Sequence, residues 1–115
     1  EALKKKMLEF PKTKFIVWTP PALLEIHTHK AEAERAKEFS EWMKFVWDEK
    51  GDNIFLWDFR ELQVEGGLYL KKEYALEIND SHPNRKFSKT VAPYFCKRIV
   101  DVIEGKGDIK SLIGK

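Results

Sequence analysis

Two short, uninterrupted apolar runs on either side of an amphipathic stretch constrain this chain more than any other feature. Lys14-Phe-Ile-Val-Trp-Thr19 and Asn53-Ile-Phe-Leu-Trp-Asp-Phe59 are rich in β-branched and aromatic residues, without the alternation of a half-exposed strand. Continuous apolarity of that length predicts strands covered on both faces, as in parallel sheets. Between them, Lys30 to Asp48 repeats at helical period, with Ala36, Phe39, Met43 and Val46 three or four residues apart. Strand, helix, strand in that order predicts a parallel pair joined by a right-handed crossover.

The flanking signals fit this plan. Leu3, Met7 and Phe10 predict one face of a first helix that Pro11 stops. Pro20-Pro21 ends the first strand and opens a loop to His29; Thr28 is a candidate N-cap and Gly51 suits the turn after the helix. Residues 60–79 are broken by Gly66-Gly67, with a helical turn at Lys71 to Leu76, and Asn79-Asp-Ser-His-Pro-Asn84 reads as a turn cluster. A last helix is predicted over about 90–104, with Val91, Phe95, Ile99 and Val102 as its stripe. Ser88 or Thr90 caps it, since Pro93 fits only a first turn, and Gly105 closes it. Leu112 and Ile113 offer one more apolar contact.

The 115 residues suit one domain. With 21 Lys and Arg against 19 Asp and Glu, the charge of +2 gives no footprint for nucleic acid. No apolar run approaches the ~18 residues of a membrane span, and no secretion signal is visible. Compartment is not legible. The single cysteine, Cys96, excludes an internal disulfide and is expected as a buried, inert thiol.

The densest chemistry lies at Asp80-Ser-His82-Pro-Asn84. In open α/β sheets, sites form beyond the carboxyl ends of the strands, and this run follows the second strand. A carboxylate two residues from a histidine can accept the Nδ1 proton, which leaves Nε2 as a general base. Taken alone, the run also reads as a polar helix entry in which Asp and Asn cap, Pro83 stiffens and His82 is incidental.

Asp80-Ser-His82-Pro-Asn84, followed by a helix with Ala92-Pro-Tyr-Phe95, resembles the last sequence block of the SGNH (GDSL-type) serine hydrolases. Phe15-Ile-Val-Trp-Thr-Pro-Pro21 is similar to a strand and proline loop of that fold, and the order of helix and second strand agrees. The resemblance implies a three-layer α/β/α domain with a parallel sheet, of which this chain is the C-terminal part. It implies a triad in which His82 is the base and Asp80 its orienting acid. Asn79 stands where the family commonly has that acid. No Gly-Asp-Ser block is present, and Ser40, Ser81, Ser88 and Ser111 fall on no strand-to-helix elbow.

The expectation is therefore the His- and Asp-bearing part of an ester hydrolase, inactive without a Ser-bearing N-terminal half. Its substrate would be a small ester or acylated molecule, and no cofactor is implied. Trp18 and Trp57, near the strand ends, are candidates for a substrate groove, and Trp18, Pro20 and Asn79 are assigned to substrate binding. A non-catalytic module of the same fold is the alternative. A zinc site built from His27, His29 and His82 is the weaker one. Asp58 is read as the cap of the next turn. Two strands leave a sheet edge and apolar faces open, so association with the missing half or with a like chain is expected.

Overall fold

A computed structural model describes all 115 residues. The elements run α1 (Ala2–Leu8), β1 (Phe15–Trp18), α2 (Lys30–Trp42), β2 (Ile54–Trp57), α3 (Phe59–Val64), β3 (Ala75–Glu77), β4 (Asp80–Pro83) and α4 (Arg85–Ile103). The fold is α/β, and its strands form two separate pairs, β1 with β2 and β3 with β4.

The β1–β2 pair is parallel, with Phe15 beside Ile54 and Trp18 beside Trp57. Alternation sends Ile54 and Leu56 to one face, where they meet Met7, Met43 and Trp47, with Phe15, Val17 and Leu112 at the margin. The other face is built on Trp57, Phe87 and Val91, with Ile16 and Phe95 packed alongside. Every residue of β2 is buried, as expected, whereas β1 is only half-covered. The reason is position. Phe15 and Thr19 donate their amides to the carbonyls of Asn53, just before β2, and of Trp57 at its end, so the peptide groups of Ile16 and Trp18 point to the opposite edge, where no strand lies. The outer edge of β2 is closed instead. Arg98 Nε donates to Leu56 O at 2.7 Å, and Asp58 N donates to Leu112 O at 2.9 Å.

The helices depart from the expected faces. Lys4 and Met7 are the buried residues of α1, while Leu3 and Phe10 are exposed. Lys4 Nζ donates to Trp47 O at 2.5 Å and pairs with Glu49 at 3.0 Å. That contact turns Leu3 outward. His29, not Thr28, is the N-cap of α2. Past Trp42 the helix widens into a π turn at Met43–Trp47. Ala33, Ser40, Met43 and Trp47 face the core, while Phe39 and Val46, expected there, are exposed.

The turn cluster at 79–84 is instead an antiparallel arm. Residues 78–79 make its turn, and a register shift lies between Ala75 and Glu77. Below it, Ala22, Leu24, Val64, Leu70 and Ala75 form a third apolar cluster. The last helix starts at Arg85, not near residue 90, because Asn84 caps it in place of Ser88 or Thr90. Pro93 then lies inside α4. Its missing N–H leaves the Lys89 carbonyl without a helical donor, and both residues are exposed to water. Cys96 is exposed, against expectation, because it falls on the face of α4 opposite the buried Arg98 and Val102.

Candidate functional site

β4 carries the candidate chemistry. Along a strand, successive side chains point to opposite sides, so Asp80 and His82 share one and Ser81 takes the other. Asp80 Oδ1 accepts the backbone N–H of His82 at 2.9 Å and stands 2.6 Å from His82 Nδ1. An ionised carboxylate can only accept, so the imidazole proton sits on Nδ1. Nε2 has no protein partner, and the His82 side chain is 85 % exposed. The backbone N–H of His82, then its ring, hold the Asp80 carboxyl below its ordinary range. The acid is therefore ionised at neutral pH, and the pair presents an oriented imidazole with a free lone pair.

The arm is held from both sides. Ser81 Oγ accepts the Leu24 N–H at 3.0 Å and lies 2.5 Å from His27 Nδ1. Asn84 ties the arm to α4. Its Oδ1 accepts from Phe87 N at 2.8 Å, while its Nδ2 donates to Glu73 O at 2.8 Å and Ala75 O at 3.1 Å. The capping role of Asn84 is the one predicted by reading this run as a helix entry. Capping and the Asp80–His82 contact are present together.

His82 stands at the rim of an open groove of about 440 Å³. Trp18, Pro20, Pro21, Leu23 and Phe59 form its apolar walls. Two of the three residues assigned to substrate binding, Trp18 and Pro20, thus lie beside His82. The third, Asn79, sits at the tip of the arm and does not line the groove. Trp18 is 45 % exposed and packs edge-on against Trp57, with ring centres 4.4 Å apart. Trp57 is buried, and its Nε1 donates to Ile113 O at 3.1 Å; it supports the groove from behind rather than lining it.

The hydroxyls of the groove and the Gln63 carbonyl oxygen are committed elsewhere. Thr19 Oγ1 donates to Asp58 Oδ1 at 2.9 Å and accepts from Arg60 N at 3.0 Å. Gln63 Oε1 accepts from Ala22 N at 2.8 Å, and its Nε2 is buried without a partner. Asp58 is the N-cap of α3, accepting from Glu61 N, and pairs with Lys44 at 2.9 Å. Its role is structural, as its place at a strand end suggests. Helix α3 itself escaped the sequence reading, although Asp58 followed three residues later by Glu61 is a helix-start signal.

The three histidines do not converge. His27 is engaged with Ser81, His29 caps α2, and no group of three His, Cys, Asp or Glu side chains is placed to hold a metal ion. No helix is long and apolar enough to cross a membrane.

No protein-family model matches the chain, and neither the curated proteins nor the solved structures contain a match.

Proposed function

We propose that Asp80 and His82 are the acid–base part of a serine ester hydrolase of the SGNH kind, within a layered α/β domain that this chain supplies in part. The observation that carries this reading is the 2.6 Å contact between Asp80 Oδ1 and His82 Nδ1 at the rim of an apolar groove. In the reaction, a serine hydroxyl from outside these residues attacks the ester carbonyl. His82 Nε2 takes its proton and returns it to the leaving alcohol. Asp80 holds the tautomer and balances the charge of the imidazolium. Because the groove's hydroxyls are committed internally, the reading favours an alkyl or aryl group against Trp18 over a sugar rich in hydroxyls.

The test is fluorophosphonate labelling of the enzyme in which these residues sit beside the Ser-bearing half. Removing a general base costs about 10²–10⁴-fold, so His82→Ala should slow labelling by that factor. Equal labelling of wild type and variant would remove His82 from the mechanism.

A second reading is a binding module of the same fold without the chemistry. It is favoured by the local character of the Asp80–His82 contact, in which one oxygen closes both the backbone and the ring. It predicts no labelling at all, with the groove still binding apolar ligands.

A further inference from the structure

One residue lining the groove beside His82 has hydrogen-bonding capacity that the fold does not use. Gln63 lies in the last turn of α3 and is wholly buried, so it belongs to the floor of the groove rather than its rim. Its Oε1 accepts from Ala22 N at 2.8 Å, which fixes the orientation of the amide, and its Nε2 is buried with no hydrogen-bond partner. The surrounding backbone is pinned. Lys71 N donates to Gln63 O at 3.1 Å and Leu70 N to Leu23 O at 2.9 Å. The Arg60 guanidinium donates to Pro21 O at 3.3 Å and to Leu68 O at 3.1 Å. Turning the amide over would strand the Ala22 N–H, so the N–H bonds of Nε2 stay unmet. A buried donor left in that state is uncommon in folded proteins and costly to keep.

We propose that Gln63 Nε2 is the groove's donor to a ligand's carbonyl oxygen, and that the groove takes uncharged aryl or alkyl carbonyl compounds. The proposal rests on the reading of this groove as the substrate site, and three observations set the class. The first is the polar lining. The Thr19 and Ser81 hydroxyls are bonded within the protein, so the buried donor left for a ligand is the Gln63 amide. The second is charge. No lysine, arginine, aspartate or glutamate lines the groove, so a carboxylate or an ammonium group would give up its hydration there without a counter-charge. The third is the wall. The Trp18 and Phe59 rings lie with centres 5.2 Å apart and, with Pro20 and Pro21, offer hydrocarbon a surface to pack on. The depth of the amide narrows the choice again. A carbonyl oxygen is a bare acceptor on one atom, whereas a hydroxyl brings a proton that needs a partner of its own.

Titration of the 115-residue chain with acetophenone, ethylbenzene and benzoate tests this. The first two share a carbon skeleton and differ in the carbonyl. Acetophenone should bind about tenfold tighter than ethylbenzene, the scale of one buried amide hydrogen bond, and benzoate more weakly than acetophenone. Gln63 is the chain's sole glutamine, so glutamine-selective ¹⁵N labelling reports it directly. Its side-chain amide resonances should shift with acetophenone and stay in place with ethylbenzene. Gln63→Met should bring the ratio of the two affinities close to one while ethylbenzene still binds. The ratio and the amide shift are read on the unaltered chain, so they decide the matter even where the variant does not fold. Equal binding of acetophenone and ethylbenzene, binding of neither, tighter binding of benzoate, an unmoved Gln63 amide, or a preference that survives in Gln63→Met would each overturn the proposal. These readouts need no serine nucleophile. A carbonyl preference beside labelling that ignores His82 would end the hydrolase reading alone, and labelling that requires His82 without a carbonyl preference would end this one alone.

Discussion

The two strand pairs of this molecule are built on opposite terms. In the β1–β2 pair, β2 is buried along its whole length, with an apolar cluster on each face and a guanidinium holding one of its outer carbonyls. The β3–β4 arm is shifted in register and half-exposed, and it is held by hydrogen bonds from Asn84 and Ser81 more than by packing. The candidate proton-transfer pair lies on the second. Rigidity belongs to the pair that has no free titratable group, and reactivity to the pair that depends on others for its place. The lesson is a division of labour: the parallel pair fixes where the groove is, and the arm determines what stands at its rim.

Breaking the first pair should have the largest effect. Arg98 is buried, and its Nε and Nη1 donate to Leu56 O and Gly107 O, each at 2.7 Å. Arg98→Ala leaves two buried carbonyls unsatisfied and a cavity beside β2, and should cost about 3–5 kcal/mol in urea unfolding. If the loss is under about 1 kcal/mol, the outer edge of β2 does not depend on this side chain. Asn84→Ala tests the arm's tether to α4. It removes a helix cap together with two bonds to the β3 side, and should cost about 1–2 kcal/mol. It should also sharpen the contrast, because amide exchange should accelerate in residues 75–83 more than in β2.

Smaller effects come from titration. Asp48 is pushed up to about 6, by burial first and then by the neighbouring Asp108 and Asp52. A carboxyl whose folded pKa is raised gives stability that is full below its unfolded value of 3.8 and is lost as pH rises through about 6. Thermal melts should therefore decline over that window, and Asp48→Asn should flatten the decline and melt higher above pH 6. Asp80 has the opposite sign. Held low by His82, it contributes stability above the ordinary carboxylate range that is lost as pH falls through its lowered value. His82→Ala keeps the backbone N–H but removes the ring, so carboxyl NMR titration should find Asp80 part-way back toward its ordinary value. Global stability should stay within about 0.5 kcal/mol, as for an exposed substitution. A loss comparable to that of Arg98→Ala would make the arm part of the core and erase the distinction between the two pairs.

The parallel pair was legible in the sequence because burial on both faces writes itself as unbroken apolar runs, and both strands lie where those runs lie. The Asp80–His82 contact was legible because a spacing of two places both side chains on one side of an extended segment. The arm's strands were not, since Asp, Ser, His and Pro carry turn propensity, and it is their pairing with β3 and the tertiary bonds from Leu24 and Asn84 that hold them extended. The start of α4 was missed because Pro93 argues for a first turn, whereas an exposed proline in a long helix loses only one hydrogen bond that water can replace. The face of α2 was misread for a different reason. Its apolar residues outnumber what the core can take, and periodicity alone does not say which of two apolar stripes turns inward.

The parallel ribbon is finished on one side and unfinished on the other. Leu112 and Arg98 occupy the flank of β2, while Ile16 and Trp18 hold their peptide groups outward on the flank of β1. Growth of this sheet therefore has a direction. A further strand can be laid down beside β1 alone, next to Trp18, so whatever extends the sheet would arrive at the wall of the groove whose rim carries His82.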